Sequence, residues 1–454
     1  MDRSLIMSPL PDNWNTMTPD EKLDARIKNW ISTEDKAFET PEAAKKYKER
    51  AQRYADVVRL KQPDRIPCTL SAGDYVAHYA GLTQGEMFYD YDKAAQAIIK
   101  FHEDFDLDYG SSSNFMPGKV FERFGYKLYR IPGASLSPTQ SFQFVEGEYM
   151  QADEYDALIT NPEGFLMRTY IPRVMGAMAG WNMMPNMLSA TELPFVTFMS
   201  INFSIPPMQE TLKTLSDVSQ AISEWLAASG QVSAFTRGKL GLPATMGGFT
   251  KAPFDYLGDS LRGTRGIMMD LFRLPQKVLD AVERITPLAI EMGVNASNSS
   301  GNPFIMLPLH KGADGFISNK DFKKFYWPSL KNTLTGLIEE GVVPFLFVEG
   351  GYNQRLDTIA NSGLPTGKTI WLFDKTDMAE AKKKIGGWAA IGGNIPVSLF
   401  KAGTTEEMSD YVKKLIDTCG PGGGFWLSPG AVLDQSKNEN VHTYLKVGKE
   451  YGTY

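Results

Sequence analysis

In the last third of the chain one short pattern recurs five times: an apolar, strand-like run that ends on a polar or acidic residue. Phe304–Leu309 leads into His310, Val342–Val348 into Glu349, Thr369–Phe373 into Asp374, Trp388–Ile391 toward Asn394, and Phe425–Leu427 into Ser428. A segment that reads as helix separates each run from the next. Such alternation marks β/α units, and in a barrel of these units the carboxyl ends of the strands gather the functional side chains at one mouth. The pattern therefore predicts an α/β chain built as a single (β/α)8 TIM-type barrel with an N-terminal helical extension. It also predicts that a His, a Glu, an Asp and an Asn reach the mouth from different strands.

The rest of the sequence fits around that barrel. A length of 454 residues accommodates one barrel plus an appended segment without a second core. Thr18-Pro19-Asp20-Glu21 and Thr40-Pro41-Glu42 each combine a capping hydroxyl, a proline in the first turn and an acid, so both read as helix starts. Residues 1–62 are thus expected to form the helical extension and residues 63–454 the barrel. The first strand is expected at Asp64–Leu70, a helix over 83–106, and a second strand around Leu107-Asp108-Tyr109. From about 115 to 265 the periodicity weakens, which suits insertions or long loops. Seven methionines between 175 and 208 suit either core filling or a pliable wall over a flat apolar ligand. Beyond 266 a helix is expected over Leu274–Met292, and Ser318–Asp321 and Thr404–Glu407 read as capped starts of the helices after the His310 and Asn394 strands.

A formal net charge of -6 with a pI near 5.5 speaks against a nucleic-acid partner, since phosphate-backbone affinity rests on clustered Lys and Arg. Cys68 and Cys419 are the only cysteines, too few for a disulfide framework or a Cys-rich metal site. With no secretory leader in Met1–Pro9 and no uninterrupted apolar run long enough to span a bilayer, the expectation is a cytoplasmic protein without a membrane partner. A homodimer is left open. Gly363–Thr369 imitates a phosphate loop but has the wrong glycine spacing and precedes a strand, and Gly420–Gly424 serves as a turn.

Among the strand-end residues, His310 and Glu349 carry the strongest chemical case, with Asp374 as the third catalytic candidate. A carboxylate between apolar neighbours holds its proton to higher pH, which suits Glu349 to general acid or base work or to a metal, and glycines 350 and 351 leave space beside it. Its structural alternative is an ion pair with Arg355. Asn394 is expected to position a substrate, although Asp and Asn at strand ends also cap the following helix. His78 and His102 read as structural, and His442 as solvated.

Asp64-Arg65-Ile66-Pro67, His310–Ser318 running into Phe322–Pro328, and Gly393-Asn394-Ile395-Pro396 with Gly403-Thr404 together resemble the uroporphyrinogen decarboxylase superfamily from residue 50 onward. The resemblance implies one β/α barrel with its active site at the strand carboxyl ends. The decarboxylases of that superfamily carry an arginine-rich segment after the first strand, whereas Cys68–Val76 has no arginine and includes Asp74. A polyanionic substrate would leave its charges unpaired there. Tyr79–Thr83 and Tyr89–Lys93 look more like the corrinoid-dependent methyltransferase branch, and the resemblance adds Asp74 and Tyr79 to Asn394 and Arg355 as substrate-binding residues. The thiol-activating members of that branch hold zinc with a His-x-Cys-Gly motif. Here the equivalent stretch is Phe347-Val348-Glu349-Gly350, which makes a zinc site doubtful.

The resemblance accordingly implies an O-demethylase-like methyltransferase. It would remove a methyl group from a methoxylated or methylated small molecule and pass it to a corrinoid carried by a small partner protein. Two alternatives stand beside it: a decarboxylase of a porphyrinogen-like or other carboxylic acid, and a non-catalytic barrel that binds a tetrapyrrole or a corrinoid protein.

Overall fold

The computed structural model describes residues 10–454. The reading of Met1–Pro9 as leaderless, and the first nine residues of the expected extension, lie outside that range. Helix α1 (Pro19–Ile31) and helix α2 (Pro41–Val58) follow the caps legible in the sequence. The Thr18 hydroxyl accepts the Glu21 N–H while the Glu21 carboxylate accepts the Thr18 N–H at 2.7 Å, which satisfies two donors that the first helical turn leaves free.

Eight short parallel strands lie between helices. In chain order they are β1 (Ser71–Gly73), β2 (Ser112–Ser113), β3 (Gly248–Phe249), β4 (Phe304–Leu309), β5 (Val343–Val348), β6 (Ile370–Phe373), β7 (Ala390–Ile395) and β8 (Phe425–Pro429). Strands β3 to β8 pair in sequence order as one parallel sheet, and β1 pairs with β2. Isolated parallel bridges join Cys68 to Leu427, next to β1 and β8, and Gly110 to Ala244, between the β2 and β3 segments. The result is a parallel sheet surrounded by helices, with a barrel-like arrangement. The two N-terminal strands form a few residues later than the apolar runs predicted, because Asp64–Leu70 and Leu107–Tyr109 are the approaches to β1 and β2. In β4 to β8 the expected runs are themselves the strands.

Residues of these strands alternate between two buried environments, as the two-residue period of a strand requires. Ile305, Leu307, Leu346, Val348, Trp371, Phe373 and Leu427 pack against the helices. Phe304, Val343, Phe345, Phe347, Ile370, Leu372, Ala390 and Trp426 point the other way and join a separate cluster with Leu23, Ile27 and Trp30 of α1 and Tyr47, Ala51 and Tyr54 of α2. Since Phe304, Val343, Ile370 and Ala390 begin or nearly begin their strands, α1 and α2 cover the amino ends, which leaves the carboxyl ends for a site. Tyr54 is fully buried there, stacked on Phe304 with ring centroids 4.0 Å apart and edge-on to Trp426. Removing that ring in Tyr54→Ala is expected to lower the unfolding free energy by about 3–5 kcal/mol, read as a reduced denaturant midpoint at unchanged slope.

The middle of the chain carries insertions, as its weak periodicity suggested. Residues Tyr129–Arg130 and Gln143–Phe144 form a two-rung antiparallel ladder. Helix α3 (Leu193–Ile201) and the 28-residue helix α4 (Pro206–Ser233) follow. Among the described residues no helix is long and apolar enough to cross a membrane.

Candidate active site

Strand parity fixes which side chains face the mouth. His310 continues the inward set Phe304, Met306, Pro308. Glu349 continues Val343, Phe345, Phe347, and Asp374 continues Ile370, Leu372. Their neighbours Leu309, Val348 and Phe373 are buried against the outer helices. The chain therefore brings one imidazole and two carboxylates to adjacent strand ends above an apolar floor that includes Phe347 and Leu372.

Two acids that the sequence reading did not single out organise His310. Past β3 the chain enters a helical segment in which Asp255 and Asp259, four residues apart, share a face. Asp255 is fully buried and accepts the backbone N–H groups of His310, at 3.1 Å, and Lys311, at 2.8 Å, together with the Tyr326 hydroxyl at 2.7 Å. It thereby ties the end of β4 to the loop after β3. Asp259 accepts the His310 Nδ1 proton at 2.6 Å and a proton from Lys251 Nζ at 2.5 Å, and Lys311 Nζ lies 3.4 Å from its other oxygen. On the open side, His310 Nε2 lies 3.6 Å from Glu349 Oε1. The ring is thus gripped from behind at Nδ1 and presents Nε2 to the mouth.

Electrostatics follow from this packing. Burial pulls the His310 imidazolium toward deprotonation. The hydrogen bond to Asp259, the nearby Glu349 carboxylate and the negative charges of Asp255 and Asp259 outweigh it, and its pKa is held up at about 10. Asp259 is shifted the opposite way: burial raises its pKa, but His310 and Lys251 hold it ionised well below the usual carboxylate range. Burial, then the charge of Asp259, push Asp255 up. At Asp374 burial likewise raises the pKa and the charge of Glu349 adds to the rise, against a hydrogen bond of 3.1 Å from the Gly350 N–H. Asp374, on the strand after Glu349, thus has a heightened hold on its proton. The Glu349 side chain is 48% exposed.

Local backbone choices keep the loops close. Gly350 has a φ of +75°, a conformation that costs a side-chain-bearing residue, and this turn aims its N–H at Asp374. Gly312 lets the His310 loop lie on Tyr326 and Tyr352, since a Cβ there would stand 2.2 Å from the Tyr352 hydroxyl.

The remaining sequence candidates do not join this cluster. Arg355 is wholly buried and donates to the carbonyls of Gly312, at 3.0 Å, and Ile317, at 2.6 Å, with Asp314 as its ion-pair partner at 3.4 Å. It stitches the loop after His310 and makes no ion pair with Glu349. Asn394 is buried and donates to the Thr376 carbonyl at 2.8 Å, holding β6 and β7 ends together. Asp74 follows β1 at the same end of the strands but is hydrogen-bonded to Asn114. Tyr79 lies in the outer helical layer, its hydroxyl 2.6 Å from Asp104. Among the described residues no group of three or more His, Cys, Asp or Glu is arranged to hold a metal ion.

Comparison with known proteins places this architecture. The family model described as uroporphyrinogen decarboxylase (URO-D) matches residues 202–451. A protein named uroporphyrinogen decarboxylase from Idiomarina loihiensis is 24% identical over 227 residues, which cover 49% of this chain and 59% of the relative. One of that name from Actinobacillus succinogenes is 26% identical over 208 residues, 45% of this chain and 56% of the relative. A barley (Hordeum vulgare) protein of the same name is 23% identical over 267 residues, 55% and 78%. The chain thus spans 59% and 56% of the length of the first two relatives. A solved methyltransferase from Methanosarcina mazei superposes with a TM-score of 0.56 over 88% of this chain and 98% of its own, at 15% identity, a likeness of fold alone.

These matches overturn the expected placement in the methyltransferase branch, and with it the O-demethylase activity. Eight curated matches at the level of those above carry the decarboxylase name. The branch reading leaned on Cys68–Val76 and Tyr79–Lys93, which precede the matched 202–451, and on a zinc motif whose loss favours neither branch. The expectation of methyl transfer to a corrinoid loses its basis with it.

Proposed function

We propose that this chain, which belongs to the uroporphyrinogen decarboxylase (URO-D) family, is a decarboxylase that acts on a porphyrinogen-like or other carboxylic acid at the His310 mouth. The observation that carries the reading is His310 itself: an imidazolium that keeps its proton through neutral pH, clamped by Asp259 and open toward a half-exposed glutamate. The reading takes the eight strands as one closed barrel, supported by the bridges from Cys68 to Leu427 and from Gly110 to Ala244. It takes the setting as cytoplasmic, in keeping with two buried free thiols.

Loss of carbon dioxide breaks the bond between the carboxyl carbon and its neighbour and leaves the electron pair on the substrate. One proton must then be added at that carbon. A fixed cation stabilises the charge as it develops, and because its partners are already in place no reorganisation is needed at the moment of reaction. His310 Nε2–H supplies both the charge and the proton, and Glu349 returns a proton from solvent to Nε2. Asp259, with Lys251 and Lys311 beside it, keeps the imidazole charged and oriented. Asp255 and Tyr326 fix the backbone from which it projects. The apolar floor at Phe347 and Leu372 strips water from the departing carboxylate.

The test is carbon dioxide release from a panel of porphyrinogens and simpler pyrrole-bearing acids under anaerobic conditions. Wild-type protein is expected to release gas from at least one acid. Glu349→Gln, which keeps the shape but cannot relay a proton, is expected to turn over about a hundredfold more slowly with little change in KM. A Glu349→Gln rate equal to wild type would remove Glu349 from the proton path.

A further inference from the structure

We propose that Lys251 holds a second, non-departing carboxylate of the substrate, so that the acid selected by this mouth carries two carboxylates, not one or many. This assignment rests on decarboxylation taking place at His310. Strand parity puts Lys251 beside it. Phe249 pairs with Met306 of the inward set, and the Thr250 N–H continues the ladder to the Met306 carbonyl at 3.0 Å. The Thr250 hydroxyl turns outward and donates to the Ala289 carbonyl at 2.7 Å, so Lys251 is the next inward side chain, on the strand adjacent to that of His310. Phe249 is 53% exposed, and this side of the mouth is accordingly open.

One carboxylate places the ammonium and leaves it with donors to spare. Lys251 Nζ donates to Asp259 Oδ2, the same oxygen that takes the His310 Nδ1 proton, so the two cations stand side by side. With Lys311 Nζ at 3.4 Å, three cations share the single charge of Asp259, while Asp255 is committed to two backbone N–H groups and the Tyr326 hydroxyl. Lys311 also donates to Thr264 Oγ1 at 2.7 Å. Lys251 has no second acceptor among the described residues, its Nζ lies 5.8 Å from the centre of the Tyr256 ring, and its side chain is 21% exposed. An ammonium has three N–H groups, so two remain for a ligand.

Chemistry decides which carboxylate they take. Charge leaves the departing carboxylate as carbon dioxide forms, so a cation on that group would stabilise the starting state more than the transition state. A carboxylate that stays behind keeps its charge throughout, and holding it orients the substrate without that cost. The far side of the mouth limits the number. Glu349 and Asp374 stand at the ends of β5 and β6, and Arg355 is buried against backbone carbonyls, so a third carboxylate there would meet carboxyl groups and no free guanidinium.

The test is titration calorimetry of the full chain with a homologous set of pyrrole mono-, di- and tricarboxylic acids whose side arms differ in length. Wild type is expected to bind its best diacid about tenfold more tightly than the matched monoacid, with no gain from a third carboxylate. Lys251→Met, which keeps the stem, should lose that tenfold and leave the monoacid unchanged, the sign of an intact mouth, and Lys251→Arg should recover most of it. Wherever the diacid turns over, the loss should fall on KM with kcat within about threefold of wild type. Diacid preference without carbon dioxide from any acid would sink the decarboxylase reading and leave Lys251 as the carboxylate anchor. Equal affinity of wild type for monoacid and diacid, no binding of either, a tighter triacid, or a Lys251→Met protein that keeps the diacid preference would each overturn the proposal.

Discussion

Replacing His310 with glutamine is expected to lower the turnover of carbon dioxide release by roughly a hundred- to ten-thousandfold, with a much smaller change in KM. Glutamine fills a similar space and can still donate a hydrogen bond toward the mouth. It cannot carry the positive charge or surrender a proton to carbon, so the loss appears in the chemical step. In wild type the acid form persists until its pKa of about 10, so activity should hold through neutral pH and fall on the alkaline side as the imidazolium is lost. The His310→Gln profile should lack that alkaline limb.

Asp259→Asn has the second large effect, and on two observables. Asparagine keeps an acceptor for Nδ1 but removes the negative charge that faces His310, Lys251 and Lys311. The alkaline limb of activity should move down by about 1–3 pH units, the shift that one opposite charge at this distance imposes. Stability falls as well, by about 3 kcal/mol, the lower end for breaking a buried pair because the His310 side chain is 33% exposed. The sign of its pH dependence is fixed by both partners. His310 has a folded pKa above its unfolded value near 6.5, so its contribution is complete below about 6.5 and disappears as pH rises through about 10. Asp259 has a folded pKa below its unfolded value near 3.9, so its contribution is complete above about 4 and disappears on further acidification. The gap between wild type and Asp259→Asn should therefore be widest between about pH 4 and 6.5 and close toward pH 10, measured by chemical denaturation across pH.

These two residues show where sequence and structure part. His310, Glu349 and Asp374 were legible because each ends a long apolar run and strand parity does the rest: once Phe345 and Phe347 face inward, so does Glu349. Asp259 follows β3, a strand of two residues in an irregular stretch, so no apolar run announced it. Its one local signal is the four-residue spacing from Asp255, which on a helix puts both acids on one face. Arg355 is a different case: though near Glu349 in sequence, it donates its guanidinium to the carbonyls of Gly312, Ala313 and Ile317, so the ion pair that was the structural alternative for Glu349 does not form. The amino-end cover by α1 and α2 follows the capping chemistry at Thr18 and Thr40, whereas the insertion between 115 and 265 has no period from which its packing could be read.

The choice of reaction turned on which part of the chain carries information about it. Resemblance over Tyr79–Lys93 concerned an outer helical layer, where Tyr79 meets Asp104 and Lys100 and not the mouth. The matched region, 202–451, contains every member of the His310 cluster.

The most direct measurement of the central claim follows a substrate labelled with carbon-13 in its carboxyl group, incubated with the protein in deuterium oxide. For each labelled carbon dioxide released, the product is expected to gain one deuteron at the carbon that lost it, and His310→Gln should suppress both signals together. Carbon dioxide and deuteron formed at equal rates by wild type and His310→Gln would contradict the assignment of His310, and no labelled gas from any acid in the panel would contradict the reaction itself.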